Sequence, residues 1–148
     1  MSNKINRRVV LQALATGGSS VALGWSQGTA QSTTEVKVAE LTEFAKEFDF
    51  KNFDYNGTRS LAVRLPAPKK PEPRILEIDK IYLTAYTLVC THNGCEPDTP
   101  NKDHILVCPC HLSAFNADGS SLGGPATKDL TGIKLEVRGE QVYAVGTF

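Results

Sequence analysis

Apolar and polar residues alternate in short runs along most of the chain, a pattern typical of half-buried β-strands. The alternating apolar positions are Phe48, Phe50, Phe53 and Tyr55, then Leu61, Val63 and Leu65, then Ile81, Leu83 and Ala85, and finally Ile133, Leu135 and Val137. Turn sequences at Asn56-Gly57 and Arg138-Gly139-Glu140 predict hairpins between neighbouring strands. We therefore predict an all-β fold, a small antiparallel sandwich or barrel.

Two stretches depart from this alternation. Apolar residues at helical spacing run only from Leu41 to Phe48, which predicts a short helical turn at most. Four prolines between Pro66 and Pro73 predict an exposed loop, because proline cannot donate to a sheet ladder. Strand patterning resumes at Ile75, so this loop connects strands rather than domains.

The amino-acid composition excludes several classes of protein. The 148 residues allow one ordinary domain, and 41% hydrophobic with 22% charged residues exclude both a disordered tail and a multi-span membrane protein. Basic and acidic residues both number 16, so no charge excess points to nucleic acid. The sequence offers no phosphate-binding loop and no nucleophile–histidine–acid set, and we assign no catalytic residue.

Residues 1–30 resemble an export signal. Lys4, Arg7 and Arg8 precede a modestly apolar run over residues 9–25, and Gly28-Thr29-Ala30 fits a small-residue cleavage site. The paired arginines are similar to those of a twin-arginine signal, although an aromatic residue usual for such signals is replaced by valine. The alternatives are a retained weak membrane anchor through residues 9–25 and an amphipathic or disordered segment. We expect a domain over residues 31–148 that is exported, periplasmic or membrane-associated on the non-cytoplasmic side.

Ligand-type side chains cluster in two short segments. The first loop, residues 90–95, reads Cys-Thr-His-Asn-Gly-Cys, and the second loop, residues 108–113, reads Cys-Pro-Cys-His-Leu-Ser. One cysteine and one histidine from each loop give the set Cys90, His92, Cys108 and His111. Cys95 and Cys110 then remain as a pair that is free to form a disulfide in an oxidising compartment. A zinc-binding structural module is the alternative, although one zinc needs four ligands and six are present.

These segments resemble the Rieske iron–sulfur proteins, whose signature is C-T-H-x-G-C followed by C-P-C-H-x-S. The resemblance implies a small antiparallel fold with a cluster-binding subdomain and one [2Fe–2S] cluster per chain. It implies that Cys90 and Cys108 bind one iron and that His92 and His111 bind the other. In the high-potential branch of this family the two remaining cysteines form a loop disulfide.

The resemblance also assigns residues beside the cluster. Gly124-Pro125-Ala126 is similar to the family's proline loop, which we define here as residues 124–127. Ser113 matches a serine whose hydroxyl bonds to the cluster and stabilises its reduced form. Phe115 stands where high-potential members usually carry tyrosine, so a donor to the cysteine sulfur is missing. We therefore expect the cluster to have an intermediate midpoint potential, below that of the clusters in quinol-oxidising cytochrome complexes.

The resemblance implies an electron carrier, or a subunit of a respiratory or photosynthetic oxidoreductase, rather than a stand-alone catalyst. The resemblance leaves the redox partner open between a cytochrome complex, in which quinol would be hydrogen-bonded at His111, and the large subunit of a molybdenum enzyme. Asn93 and Thr127 replace residues usual in those subunits. The alternative is the small Rieske subunit of an arsenite-oxidase-type molybdenum enzyme, whose partner is a molybdenum-containing large subunit.

Overall fold

The fold is all-β, as predicted, and a computed structural model describes it for residues 34–148. The predicted export signal or anchor within residues 1–30 lies outside the described residues. The strands are β1 (Val36–Glu40), β2 (Phe50–Tyr55), β3 (Thr58–Leu65), β4 (Leu76–Ile78), β5 (Ile81–Thr87), β6 (Leu106–Val107), β7 (Ala114–Phe115), β8 (Ser121–Gly123), β9 (Gly132–Arg138) and β10 (Gln141–Thr147). Between β1 and β2 a single 3₁₀ turn spans Leu41–Glu43, which confirms the predicted short helical turn.

Strands from both ends of the described chain form one antiparallel sheet. Its order is β1-β10-β9-β5-β3-β2, with β4 added beside β5. The edge strands β1 and β2 approach one another, so the sheet nearly closes into a barrel. Closure of this kind removes exposed sheet edges.

Both predicted hairpins form. Asn56 and Gly57 both have positive φ, 54° and 77°, as the turn between β2 and β3 requires. The carboxylate of Asp54 accepts a hydrogen bond from the Gly57 N–H at 2.8 Å. Gly139, with φ of 63°, turns the chain between β9 and β10. The local turn chemistry therefore fixes the register of both strand pairs.

The central strands are buried on both faces of the sheet, because each face packs against a separate apolar core. Within the barrel, Ala62 of β3 and Leu83 of β5 join one apolar cluster. On the outer face, Leu61 and Val63 of β3 and Tyr86 of β5 join a second cluster that includes the predicted metal-binding cysteines. The period-two alternation of these strands thus assigns successive side chains to different cores.

A second sheet, β6-β7-β8, forms a small subdomain that packs on this outer face. The buried hydroxyl of Tyr86 donates a hydrogen bond to the carbonyl of Ala117 at 2.9 Å. Gly119 lies against the same ring, where an added Cβ would come within 2.8 Å of it. Tyr86 therefore fixes the subdomain to β5 by both packing and hydrogen bonding. In residues 34–148, no helix has the length and apolar character needed to cross a membrane.

Candidate metal centre

The first and second loops adopt the same turn. The Cys90 carbonyl accepts a hydrogen bond from the Gly94 N–H at 2.8 Å, and the Cys108 carbonyl accepts one from the Leu112 N–H at 2.9 Å. In each loop the amide of that first cysteine also donates to the carbonyl five residues later, at 2.7 and 2.8 Å. Gly94 and Leu112 both have positive φ, 77° and 58°. The two segments therefore share a backbone conformation, although the histidine is the third residue of the first loop and the fourth residue of the second.

Burial divides the four predicted ligands into two pairs. Cys90 and Cys108 are free thiols that expose only 2% and 1% of their surface. His92 and His111 are exposed, and their ring centres lie 4.7 Å apart with the rings nearly perpendicular at 87°. The two histidine rings thus lie beside each other at the surface, and the two thiols lie in the interior, where Cys90 and Cys108 are hydrogen-bonded.

The remaining two cysteines form the predicted disulfide. Cys95 and Cys110 are joined across the two loops, with 6.5 Å between their Cα atoms. The sulfur of Cys108 lies within 4.8 Å of both disulfide sulfurs. A sulfur already in a disulfide is not a thiolate, so neither member of the pair is available as a metal ligand. The bond instead clamps the loops that present the other four side chains.

Burial and hydrogen bonds act in opposite directions on the pKa of the two free thiols. Burial alone would raise the pKa of Cys90, but hydrogen bonds from the His92 backbone, from Cys108 and from the Ser113 hydroxyl bring it below its ordinary value. Burial raises the pKa of Cys108, and its contact with Cys90 raises it further. Backbone hydrogen bonds that point at each sulfur favour its thiolate form and oppose the effect of burial.

The proline loop covers the second loop at close range. Gly124 has φ of 91°, and a Cβ there would lie 2.7 Å from the Ser113 Cα. The hydroxyl oxygen of Ser113 accepts a hydrogen bond from the Ala126 N–H at 3.1 Å. On the other side, the Thr91 hydroxyl donates to the carbonyl of Lys128 at 2.6 Å. Pro125, which lies between Gly124 and Ala126, is exposed.

Two residues that the sequence predicts to lie beside the iron–sulfur cluster are fully buried. Ser113 and Phe115 each expose 0% of their surface, and Phe115 packs in the same apolar cluster as Cys90 and Cys108. The role of Thr91 in holding the proline loop was missed from sequence. The residue stood within the recognised motif, but its bonding partner is a backbone carbonyl 37 positions away.

The third histidine is separate from this centre. His104 lies in a polar turn, and its exposed ring stacks on Phe48 with 3.6 Å between ring centres and 7° between planes. Both residues have positive φ, and both line a cavity of about 840 Å³ between the main sheet and the small subdomain. This contact joins the two parts of the fold.

The donor set fits an iron–sulfur cluster of mixed ligation. Two buried sulfurs and two imidazoles are the ligands of a [2Fe–2S] centre in which histidines replace two cysteines on one iron. A matched loop pair of this kind on a small β-fold defines an iron–sulfur electron-transfer protein. The Rieske [2Fe–2S] domain model matches residues 34–137, so the chain belongs to the Rieske family.

Relatives and solved structures agree with this assignment. The chain is 35% identical over 75 residues to the cytochrome b6-f complex iron–sulfur subunit of a Synechococcus strain, an alignment that covers 49% of this chain and 44% of the relative. It is 34% identical over 92 residues to the cytochrome bc1 complex Rieske iron–sulfur subunit of Streptomyces lividans, covering 60% of this chain and 54% of the relative. This chain therefore aligns with about half the length of these relatives.

Among solved structures, the plasma membrane Rieske protein of the cyanobacterium Synechocystis superposes with a TM-score of 0.55 and 26% identity. The match covers 74% of this chain and 97% of that protein. The chain is thus a Rieske electron-transfer protein related to subunits of respiratory and photosynthetic complexes, and its domain carries one [2Fe–2S] cluster.

Proposed function

We propose that the chain transfers single electrons through a cluster held by Cys90 and Cys108 on one iron and by His92 and His111 on the other. The cluster supplies the capacity to accept and release one electron. The observation that carries this ligand assignment is the division of the four side chains into buried thiols and exposed imidazoles. The disulfide pair cannot substitute for any of them.

The chain controls where electrons enter and leave. Main-chain and disulfide contacts enclose the two sulfurs, while the two imidazoles reach solvent. Electron exchange with another protein therefore takes place on the side of His92 and His111. Two neutral imidazoles in place of two thiolates leave the centre less negative, which raises its potential into the range of about −150 to +300 mV.

Three variants test the ligand assignment. Cys90→Ser and His111→Ala should each abolish the cluster, measured as iron and acid-labile sulfide per chain and as the EPR signal of the reduced protein. His104→Ala is the matched control, because it removes the histidine that lies outside the loops. Full iron content in either ligand variant, or its loss in the control alone, would refute the assignment.

We further propose that the protein works outside the cytoplasm as a carrier or as a subunit of a cytochrome complex. Support comes from the basic pair Arg7-Arg8, from the disulfide, and from relatives that are named as subunits of such complexes. Cell fractionation of the full chain and of an Arg7→Lys/Arg8→Lys variant tests export, which the variant should block.

Copurification from membranes tests the partner. Recovery with a cytochrome complex supports the proposed partner, and quinol oxidation dependent on His111 would extend it. Recovery with a molybdenum-containing large subunit would replace this proposal with the arsenite-oxidase-type assignment.

A further inference from the structure

Arg74 connects the main sheet to the segment that leaves the proline loop. Its carbonyl accepts a hydrogen bond from the buried hydroxyl of Thr84 in β5 at 3.1 Å. Its side chain reaches residues 128–131, named here the return segment, which lead from the proline loop into β9. Nη2 donates to the Leu130 carbonyl at 2.7 Å, and Nη1 donates to the Asp129 carboxylate at 3.2 Å. One side chain therefore binds two successive residues of the return segment.

The Arg74 guanidinium also packs against the backbone of Gly132, the first residue of β9. A Cβ at Gly132 would lie 2.8 Å from Nε and 3.1 Å from Nη2, so no larger residue fits beneath this side chain. The side chain of Arg74 is 27% exposed and that of Asp129 is 51% exposed. Because an ion pair at such exposure contributes little, the bond to Leu130 and the packing on Gly132 are the stronger contacts. Together they fix Arg74 in one position.

The return segment is attached in turn to the candidate metal centre. Leu130 is buried in the group of apolar side chains that contains both free cysteines. The Lys128 carbonyl accepts the hydrogen bond from the Thr91 hydroxyl of the first loop. Just before the return segment, the Ala126 N–H donates to the hydroxyl oxygen of Ser113 in the second loop. Movement of the return segment would therefore disturb the contacts of the proline loop with both loops.

We propose that Arg74 is a positioning residue of the iron–sulfur centre, because it fixes the return segment and thereby keeps the proline loop closed over the second loop. The inference rests on the proposed function, which assigns ligands of the cluster to the second loop. Within residues 34–148, the side-chain hydrogen bonds of Arg74 reach neither a proposed ligand nor the proline loop, so it acts through the return segment. Its charge also balances Asp129, whose unpaired carboxylate would oppose the addition of an electron nearby.

The test compares Arg74→Gln with the original full-length protein that carries its cluster. Hydrogen–deuterium exchange of residues 121–130, measured by mass spectrometry, should become about tenfold faster or more, because two hydrogen bonds from a charged donor are lost. Iron release to a chelator should accelerate by a similar factor. The midpoint potential should fall, since loosening the proline loop weakens the hydrogen bond that Ser113 donates to the Cys90 sulfur. Arg74→Lys keeps the charge and can replace one of the two bonds, so its exchange rate should lie between the two.

Arg64→Gln is the matched control, because Arg64 makes similar contacts elsewhere in the fold. Its Nη1 donates to the carbonyls of Phe44 and Ala45 at 2.8 and 2.7 Å. As in Arg74, its Nε is buried without a hydrogen-bond partner in the described part of the chain. Phe44 belongs to the barrel core, so Arg64→Gln should lower the melting temperature. It should leave the exchange of residues 121–130, the rate of iron release and the midpoint potential unchanged.

Two results would overturn the positioning role of Arg74. The first is an exchange rate of residues 121–130 in Arg74→Gln that remains within about twofold of the original protein. The second is the same acceleration in Arg64→Gln, because a general loss of stability would then be responsible. If Arg74→Gln does not fold, Arg74→Lys decides by the same measurement, and a rate equal to that of the original protein overturns the role. An original protein without iron would contradict the proposed function instead, and the exchange of residues 121–130 would still decide the role of Arg74.

Discussion

The hydroxyl oxygen of Ser113 accepts a hydrogen bond from the backbone N–H of Ala126 at 3.1 Å. The hydroxyl hydrogen takes no part in that bond, and it donates to the Cys90 sulfur, whose pKa it helps to lower. One buried side chain therefore holds the proline loop and polarises a proposed ligand at the same time.

Replacing Ser113 with alanine should lower the midpoint potential of the cluster. A donor to a ligand sulfur stabilises the reduced, more negative form, and the variant lacks that donor. It should also reduce the free energy of unfolding by about 1–3 kcal/mol, since the Ala126 N–H is left buried without a partner. Redox titration and denaturant unfolding measure the two effects. Ser121→Ala is the control, because the Ser121 hydroxyl donates a hydrogen bond to the Ala126 carbonyl at 2.7 Å. This control should lower the stability without changing the midpoint potential.

Adding a hydroxyl at Phe115 should raise the midpoint potential. Phe115 is buried in the same group of apolar side chains as both free cysteines, so Phe115→Tyr brings a new hydrogen-bond donor toward a ligand sulfur. Phe44→Tyr is the matched control, because Phe44 is equally buried in the barrel core. An unchanged or lower potential in Phe115→Tyr would contradict the missing-donor argument.

Gly124→Ala should prevent normal assembly of the centre. Its Cβ would lie 2.7 Å from the Ser113 Cα, so either the proline loop or the second loop must move. We expect a large loss of iron per chain together with a lower melting temperature. Gly57→Ala shares the positive φ but meets no atom within 4 Å, and it should cost only about 1 kcal/mol of stability. Equal effects of the two substitutions would show that backbone strain, not contact, is responsible.

Removing the disulfide should destabilise the fold. The cysteines are 15 residues apart, and closing a loop of that length contributes about 3 kcal/mol. The double variant Cys95→Ser/Cys110→Ser avoids an unpaired thiol, and guanidinium unfolding should show the loss. Cluster release on heating should also be faster, because the two loops are no longer joined. A variant as stable as the original protein would show that packing alone holds them.

Tyr86 should make the protein sensitive to alkaline pH. Burial raises the pKa of its hydroxyl above the ordinary value of about 10. Since the unfolded state then loses this proton at lower pH than the folded state, stability is full below about pH 10 and falls as pH rises further. Tyr86→Phe loses the bond to Ala117 and should be less stable near pH 7 by about 1 kcal/mol. Its stability should also fall less steeply between pH 10 and 11 in thermal melts.

The local sequence was sufficient for the strands and the chemistry of the loops. Alternating residues such as Leu61, Val63 and Leu65 predicted β3, and Asn56-Gly57 predicted its hairpin, because pleat and turn geometry depend on neighbouring residues. Strand β1 was not predicted, since its pairing with the distant strand β10 decides it. The two- and three-residue strands β6, β7 and β8 were also not predicted, because they are too short to show an alternating pattern. The motif likewise gave the cysteines and histidines but not their separation into buried and exposed pairs.

What the tertiary structure decided is how these local pieces meet. Packing of the small subdomain on β3 and β5 buries Cys90 and Cys108 and leaves His92 and His111 in solvent. The anchoring of the proline loop by Thr91 and Ser113 depends in the same way on long-range contacts, as does the stacking of His104 on Phe48. Local sequence specifies the donors and turns. Which of these side chains are buried depends on surfaces that meet only in the folded chain. The same contacts therefore decide the side of the protein from which electrons can pass.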